Sequence, residues 1–464
     1  IKRAHRVKSA PSLHPIVAIC LGTIPALLGF FVPIQFVLIA IGALTFIYIS
    51  LISPEFSYIS LLIALPYISY LPYTEYVLFG VIAVTFLSFL RKVLYGKRVL
   101  HIEQYDILIG ILILAVLISG VFVKGMDSFT GSLGFFVLSF GYILTSNIVA
   151  NRRLADCVIS AVIISSIPAA FIAVYEALSA AFSGLGLGIL NTGVGSSFGE
   201  PVVYAAYLVI VIPLTAARIA ETRGAARFLY SLLFILNTGA AILTAQRFAC
   251  LVLLFGVALF FAYRAKYAAP LFVFLLIALP YIGILLFPDV ADILFAGVEG
   301  ALAPSRIAEL WIAALEVLSR NIFVGIGIGE GCFAEEFAPL GFTGIVNSHN
   351  FFIELGLEAG IIALAAVLIL LVVRFRHRTV YQRYLSESAM SIVSTMAAVT
   401  LSSLVIFGTA YYLFENMEIT YLFWFVFGLG SAALRVAKRE HDDKVLYYDD
   451  TKSPDFSVAE IKIK

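Results

Sequence analysis

Apolar runs of about 20 residues alternate with short polar intervals along most of the chain. Runs of this length cross the ~30 Å hydrocarbon core of a bilayer as helices. The stretch 228–263 is apolar except for Gln246 and Arg247, and as one helix it would be roughly 54 Å long, so we expect it to turn at this polar pair. The predicted spans lie at about 14–32, 34–52, 57–71, 76–90, 106–123, 130–149, 155–177, 201–217, 228–263 (two spans), 268–287, 350–373, 388–410 and 419–436.

This pattern predicts an all-α polytopic membrane protein with 14 transmembrane helices, or 12–14 because the third and fourth runs are short. Composition agrees, since 62% of the residues are hydrophobic and only 13% are charged, against about a quarter charged in soluble domains. The net charge of +1 gives no bulk attraction to nucleic acid. The four cysteines show neither a disulfide framework nor the spacing of a zinc site.

The basic intervals give the chain an orientation. With the N-terminus inside, the intervals 91–98, 152–153, 218–227, 264–266, 374–383 and 435–439 all fall on the cytoplasmic side, as the positive-inside rule requires. The same topology puts 179–200, Arg247 and 288–348 on the outer face. We therefore divide the chain into transmembrane helices with the Arg247 hairpin (1–287), an external loop (288–348), C-terminal transmembrane helices (349–438) and a cytoplasmic tail (439–464).

The external loop contains a predicted amphipathic helix. Its apolar residues recur at helical spacing from Ile307 to Leu318 and include Trp311, and Pro304-Ser305 is a typical helix start. Such a helix can lie in the membrane interface and cover a lipid-borne substrate. The following Gly325–Gly329 segment, with glycine at every second position, is expected to be flexible; a turn is favoured over a phosphate-binding loop.

His349 lies where the external loop ends and the next helix begins, with Asn347 or Ser348 as the expected N-cap. The positive end of the helix dipole and partial burial should lower the pKa of its imidazole and keep it neutral. A neutral imidazole can take a proton from a hydroxyl group, which makes His349 the candidate base. The alternative is a purely structural hydrogen bond.

Three polar residues follow His349 on one helix face, because Asn350, Glu354 and Glu358 are spaced four residues apart. Asn350 is a candidate substrate contact together with Trp311 of the loop. Glu354 or Glu358 is expected to orient the imidazole or to bind a basic residue, and both are counted as candidate catalytic residues. A helix–helix hydrogen bond is the alternative for Glu358.

Arg247 is the only arginine of its apolar hairpin and is expected at the outer surface. A guanidinium group is permanently charged and can hold phosphate oxygens with two parallel hydrogen bonds. Arg306 is a second candidate for this role and Arg320 a weaker third, and an interfacial position without ligand is the alternative for Arg247. The sequence has no Asp-x-Asp motif or metal-ligand cluster, so we expect arginines rather than a metal or another cofactor to neutralise phosphate.

At these residues the chain resembles the O-antigen ligase and polymerase superfamily of bacterial cell-envelope enzymes. Thr244–Arg247 is similar to the family's Thr-x-Ser-Arg turn, with Gln246 in place of the serine. The other matching segments, which lie in the family's order, are Ser305-Arg306 with Trp311, Asn321–Gly327, and His349-Asn350 with Gly360. Ala363 departs from the ligase pattern, which has Gly, Thr or Tyr there, so a polymerase is at least as consistent as a ligase.

The resemblance implies metal-independent transfer of a glycan from an undecaprenyl-diphosphate carrier. It implies that His349 is the base on the acceptor hydroxyl and that Arg247, with Arg306, holds the diphosphate. The expected partners are therefore a polyprenyl-diphosphate-linked glycan donor, a glycan or lipid-linked acceptor, and membrane lipids. The expected location is the bacterial cytoplasmic membrane, with the active site facing outward.

Our functional hypothesis is an inverting membrane glycosyltransferase that polymerises lipid-linked oligosaccharide repeats for a surface polysaccharide such as O-antigen. The first alternative is a ligase that joins the glycan to lipid A-core or another terminal acceptor. A transporter or flippase would need charged or broken helices in mid-membrane, which the sequence does not indicate. A structural or regulatory membrane protein would leave the grouping of Arg247, Arg306 and His349 unexplained.

Overall fold

The computed structural model describes residues 44–103, 105–123, 126–185, 193–264, 304–386 and 388–452. Within these ranges the chain is helical, with connecting turns and no β-strand. In the first half, residues 44–52 are helical, and the further helices are α1 (Pro54–Ala64), α2 (Thr74–Leu94), α3 (Asp106–Phe122), α4 (Met126–Ile148), α5 (Arg152–Ala180), α6 (Pro201–Glu221), α7 (Gly224–Leu243) and α8 (Arg247–Arg264). In the second half they are α9 (Pro304–Arg320), α10 (Glu330–Phe337), α11 (Phe351–Val380), α12 (Gln382–Ser386), α13 (Ser391–Phe407) and α14 (Met417–Lys452).

Seven of the described helices, α2, α4, α5, α6, α7, α11 and α14, are long and apolar enough to cross a membrane. Three further apolar helices, α3, α8 and α13, are shorter. The prediction of an all-α polytopic membrane protein is therefore confirmed. The predicted spans at 14–32 and 268–287, and most of 34–52, lie outside the described residues, so the number of spans stays a prediction.

The apolar stretch 228–263 turns where the polar pair predicts. Helix α7 ends at Leu243 and α8 begins at Arg247, and Ala245 between them has a positive φ of 56°. The predicted third span is a less regular element, because α1 has only 11 residues and continues as a 3-10 helix over Leu65–Tyr70.

Helix α14 is the centre of the bundle. Its apolar part is almost entirely surrounded by protein, and Trp424 has no exposed surface. It packs directly on α4: a Cβ atom added to Gly428 would lie 2.7 Å from the Cβ of Thr145. Small residues allow such close approach of membrane helices, where packing rather than the hydrophobic effect drives association.

Basic residues from distant intervals meet at one end of the bundle. Arg152 at the start of α5 pairs with Glu221 at the end of α6, with 2.5 Å between Nη2 and Oε2. Arg439 in α14 donates to the carbonyl oxygen of Ala150 at 2.9 Å. These contacts join three of the intervals that the charge pattern assigns to one side, and we call this region the basic end.

Helix α9 lies at the opposite end and is amphipathic, as predicted. Leu310, Ala314 and Leu318 are buried in a small separate core with Phe333 and Phe337 of α10. The external loop is therefore partly a folded unit with its own apolar core.

Helix α11 is broken at Gly360, which has a φ of 78° and a ψ of 178°. The break lies ten residues, about 15 Å, into the helix. The expectation of a continuous span over 350–373, without a broken helix, was therefore wrong. Hydropathy averages side-chain polarity over a window and carries no information about one residue's backbone angles.

The segment Gly325–Gly329 fills the break. The backbone N–H of Ile326 donates to the carbonyl of Leu357 at 2.7 Å, and that of Ile361 donates to the carbonyl of Ile322 at 2.8 Å. A Cβ atom at Gly325 would lie 2.4 Å from the Leu357 oxygen, so only glycine allows this approach. The segment that we expected to be flexible is instead hydrogen-bonded along the broken helix.

Candidate active site

The turn before α11, residues 347–350, which we call the histidine turn, holds His349 in an unusual backbone conformation with a positive φ of 53°. Histidine is among the residues that adopt this left-handed region more readily than most. The backbone N–H of His349 donates to Oδ1 of Asn347 at 2.8 Å, which closes the turn. Strained conformations persist where surrounding contacts impose them, and they gather at functional sites.

Contacts from three elements impose this conformation. The indole N–H of Trp311 in α9 donates to the carbonyl of Ser348 at 2.9 Å, and Glu354 Oε2 accepts the N–H of Ser348 at 2.6 Å. Asn350 donates to the carbonyl of Thr409 at 3.1 Å. The turn is thus held by α9, by α11 and by the loop after α13.

Asn350, rather than Asn347 or Ser348, is the N-cap of α11. Its Oδ1 accepts the backbone N–H groups of Phe352 at 3.0 Å and Ile353 at 3.2 Å. The expected cap was therefore wrong by two or three residues. Asn347 and Ser348 are used to close the preceding turn instead.

The half-buried His349 side chain lines a cavity of about 330 Å³, which we call the histidine cavity. Burial lowers the pKa of the His349 imidazole, in the direction that the sequence predicts. The neutral imidazole that this shift favours is the form that can accept a proton. The histidine cavity is also lined by Glu200, Gln246, Phe248, Asn347, Tyr411 and Glu415.

Glu354 and Glu358 are both buried and line a neighbouring cavity of about 240 Å³. Glu358 accepts the N–H of Gly329 at 3.0 Å and the hydroxyl of Tyr412. Among the residues that the structure describes, neither carboxylate hydrogen-bonds the His349 imidazole. Glu354 instead accepts the backbone N–H of Ser348, next to the histidine, whereas Glu358 binds groups of two other segments.

Glu415 is a site residue that our sequence reasoning missed. Its Oε1 accepts the side-chain N–H of Asn347 at 2.7 Å, so it supports the residue that closes the His349 turn. It lines both cavities, and burial together with the negative charges of Glu200 and Glu330 raises its pKa to about 7. The predicted topology puts the loop between the last two spans on the outer face, which was the available signal.

Arg247 is brought to the edge of the histidine cavity. It is the first residue of α8, and its two sequence neighbours Gln246 and Phe248 both line the cavity. The side chain of Arg247 is half-buried and is not itself among the lining residues described. The prediction that Arg247 and His349 face one outer cavity therefore stays a prediction.

The two arginines of α9 are placed differently. Arg306 is exposed, donates to the carbonyl of Gly341 at 3.2 Å and lies 6.0 Å above the ring of Phe342. Arg320 pairs with Glu316 at 2.5 Å and its side chain is 67% exposed. In the described part of the chain, neither arginine lines either cavity next to the histidine turn.

Fold and site together define a multi-pass helical membrane protein with a hydrogen-bonded histidine turn at the end opposite its basic residues. Residues 232–368 match the family model described as O-antigen ligase. This segment includes Arg247, α9 and the whole histidine turn up to Gly360 and beyond. The match confirms the predicted relationship to the O-antigen ligase and polymerase superfamily, a family of glycosyltransferase-type enzymes. No curated protein matches the chain.

Proposed function

We propose that this protein is an inverting glycosyltransferase that acts at the outer face of the bacterial cytoplasmic membrane. Its donor is a glycan on undecaprenyl diphosphate, and its acceptor is a second lipid-linked repeat. The observation that supports this most is the His349 turn, which faces a cavity within the segment that matches O-antigen ligase. The basic end of the bundle, which the positive-inside rule assigns to the cytoplasm, lies opposite.

In the proposed reaction His349 is the general base. An acceptor hydroxyl enters the histidine cavity and gives its proton to the neutral imidazole. The hydroxyl oxygen then forms a bond to the anomeric carbon of the donor sugar. The bond from that carbon to the diphosphate oxygen breaks on the opposite face, so the configuration inverts and the diphosphate leaves with the bonding electrons.

Arg247 is the proposed partner of the leaving diphosphate. It begins α8, and the N-terminal N–H groups of a helix carry a partial positive charge that also favours an anion. Arg306 is exposed on α9, so we assign it attraction of the diphosphate toward the site rather than contact with the reacting bond. We assign Arg320 no role in the reaction, because it is exposed and paired with Glu316.

The carboxylates and Trp311 are proposed as positioning residues. Glu354 and Trp311 hold the two backbone groups of Ser348, and Glu415 holds Asn347. Glu358 holds the Gly329 end of the segment that fills the break in α11. These contacts supply the pre-organisation that a base needs to be within reach of its proton.

A ligase remains the alternative for the same chemistry. The departures from the ligase pattern at Gln246 and Ala363 make a polymerase at least as consistent with the sequence as a ligase. The break at Gly360 meets one criterion that we set for a transporter. The backbone groups at the break are, however, hydrogen-bonded to protein, and the family match favours an enzyme.

The test is reconstitution of the full chain in liposomes with a purified undecaprenyl-diphosphate-linked repeat. The parent protein should release undecaprenyl diphosphate and produce a ladder of longer glycans, whereas His349→Ala should do neither above background. Transfer only to a separate terminal acceptor would identify a ligase. Equal product yield and length with His349→Ala, or movement of the glycan without release of diphosphate, would contradict the proposal.

A further inference from the structure

A cavity of about 310 Å³ lies at the basic end, between the segment before α3, the end of α11 and the middle of α14. The polar residues that line it are His101, Glu103, His377, Tyr381, Arg435 and Lys438. Two basic side chains and two histidines therefore face one carboxylate. We call this the basic cavity, and nothing in the proposed glycosyl transfer uses it.

Arg435 has an unused donor in this cavity. Its Nη2 donates to the carbonyl oxygens of Ser146 and Val149. Its Nη1 is buried, lies 3.8 Å from Glu103 Oε1, which is too long for a hydrogen bond, and has no hydrogen-bond acceptor among the described residues. A buried guanidinium N–H without an acceptor is destabilising, and an anion in the cavity would supply one.

The electrostatic potential around the basic cavity also favours an anion. Burial and the cations Arg435 and Arg439 lower the pKa of His101, because a protonated imidazole is disfavoured where the potential is positive. Arg374 is 3% exposed on α11 and is close enough to act on Glu103 electrostatically. Three arginines thus contribute positive potential around a cavity that has one lining carboxylate.

We propose that the basic cavity binds a phosphate group. A phosphate offers several acceptor oxygens with negative charge, which suits the guanidinium of Arg435, the ammonium of Lys438 and the imidazoles of His101 and His377. The group belongs to an anionic phospholipid or is free inorganic phosphate. Basic pockets between helices at the cytoplasmic side are typical sites for lipid head groups.

The binding experiment uses the purified full chain. Native mass spectrometry gives the affinity for phosphatidylglycerol and for phosphatidylcholine, and calorimetry at constant ionic strength gives the affinity for inorganic phosphate. Lys438→Gln removes one exposed charge of the cavity, and Lys438→Arg restores it. Lys97→Gln is the matched control, since Lys97 is an exposed basic residue in the loop between α2 and α3 that does not line the cavity.

We expect saturable binding of phosphatidylglycerol, with phosphatidylcholine clearly weaker. Lys438→Gln should weaken it about fivefold, which corresponds to about 1 kcal/mol for one cation near a lipid phosphate, and Lys438→Arg and Lys97→Gln should bind like the parent. Saturable binding of inorganic phosphate that Lys438→Gln weakens would assign the cavity to free phosphate. The proposal would be overturned if the two lipids bound equally and inorganic phosphate did not bind. It would also be overturned if Lys97→Gln weakened binding as much as Lys438→Gln.

Discussion

The histidine turn and the arginines of the external helix α9 differ in how the protein holds them. Ser348 has both its backbone groups bound, by Trp311 and by Glu354. Arg306 and Arg320, which the sequence offered as parts of the same site, are exposed, and their contacts within the described residues are with the external loop. One region is pre-organised around a cavity and the other is a solvated surface.

This contrast shows that residue type alone ranks candidate site residues poorly. A guanidinium can bind diphosphate wherever it lies, but it stabilises a transition state only if it is held close to the reacting bond. We therefore expect the effects of substitution to fall steeply from the histidine turn to the external helix. Five predictions test this order, beginning with the largest effect.

His349→Gln should lower the turnover rate by about 10²- to 10⁴-fold, the usual range for loss of a general base. Glutamine is similar to histidine in size and can form hydrogen bonds, but its side chain cannot accept the proton. The rate is measured as undecaprenyl diphosphate released by the reconstituted enzyme, and the melting temperature checks folding. A variant that folds normally and keeps a parent-like rate would remove the histidine turn from the chemistry.

Arg247→Gln should lower the turnover rate by about 10²-fold, because the charge on the leaving diphosphate loses its partner. Arg247→Lys should recover only part of this loss, since an ammonium group lacks the two parallel donors of guanidinium. Steady-state kinetics distinguishes the expected fall in kcat from a change in KM alone. A change in KM alone would mean that Arg247, like the exposed Arg306, attracts the substrate but does not stabilise the leaving diphosphate.

Trp311→Phe should lower kcat/KM about fivefold. The substitution keeps an aromatic side chain but removes the donor to the Ser348 carbonyl, and a neutral hydrogen bond contributes about 1 kcal/mol. Leu315→Ala is the control, because Leu315 lies on the same helix and is 55% exposed. Similar losses of kcat/KM in the two variants would mean that the hydrogen bond from Trp311 to Ser348 does not position His349.

Glu415→Gln should change how stability depends on pH. The folded-state pKa of about 7 lies above the ordinary value of 4.5, so the folded protein binds this proton more tightly between these values. The resulting stabilisation is present below pH 4.5 and is lost as the pH rises to 7. The melting temperature of the variant should therefore fall less across this window than that of the parent, and an equal fall in both proteins would contradict this role of Glu415.

The smallest effects are expected from the external arginines. Arg320→Gln should change kcat/KM less than twofold, because an exposed ion pair contributes about 0–1 kcal/mol. Arg306→Gln should raise KM modestly, and the difference from the parent should shrink at high salt if Arg306 acts by long-range attraction. If Arg320→Gln lowered kcat/KM as much as Arg247→Gln does, the distinction between the histidine turn and the exposed arginines of α9 would be wrong.

The sequence was sufficient for the features that depend on long or local patterns. Apolar runs predicted the helices, the pair Gln246-Arg247 predicted the turn between α7 and α8, and spacing predicted the amphipathic α9. The charge pattern grouped the basic intervals that meet at one end.

The missed features depend on tertiary contacts or on single backbone angles. The break at Gly360 requires the partner segment from Gly325, which hydropathy cannot connect to it. Glu415 acts through Asn347, 68 residues earlier, so no local spacing identifies it. Glu354 and Glu358 were expected to orient the imidazole or to bind a basic residue. They instead accept hydrogen bonds from the backbone N–H groups of Ser348 and Gly329, which no local spacing indicates.

Photo-crosslinking with a donor that carries a diazirine on its first sugar tests most directly whether glycan transfer occurs at the histidine turn. The full chain is irradiated in liposomes with this donor, and the labelled peptides are identified by mass spectrometry. We predict labels on residues that line the histidine cavity, in particular Gln246, Val346 and Tyr411, and competition by unmodified donor. Labels confined to the exposed face of α9, or to the basic end, would contradict the account.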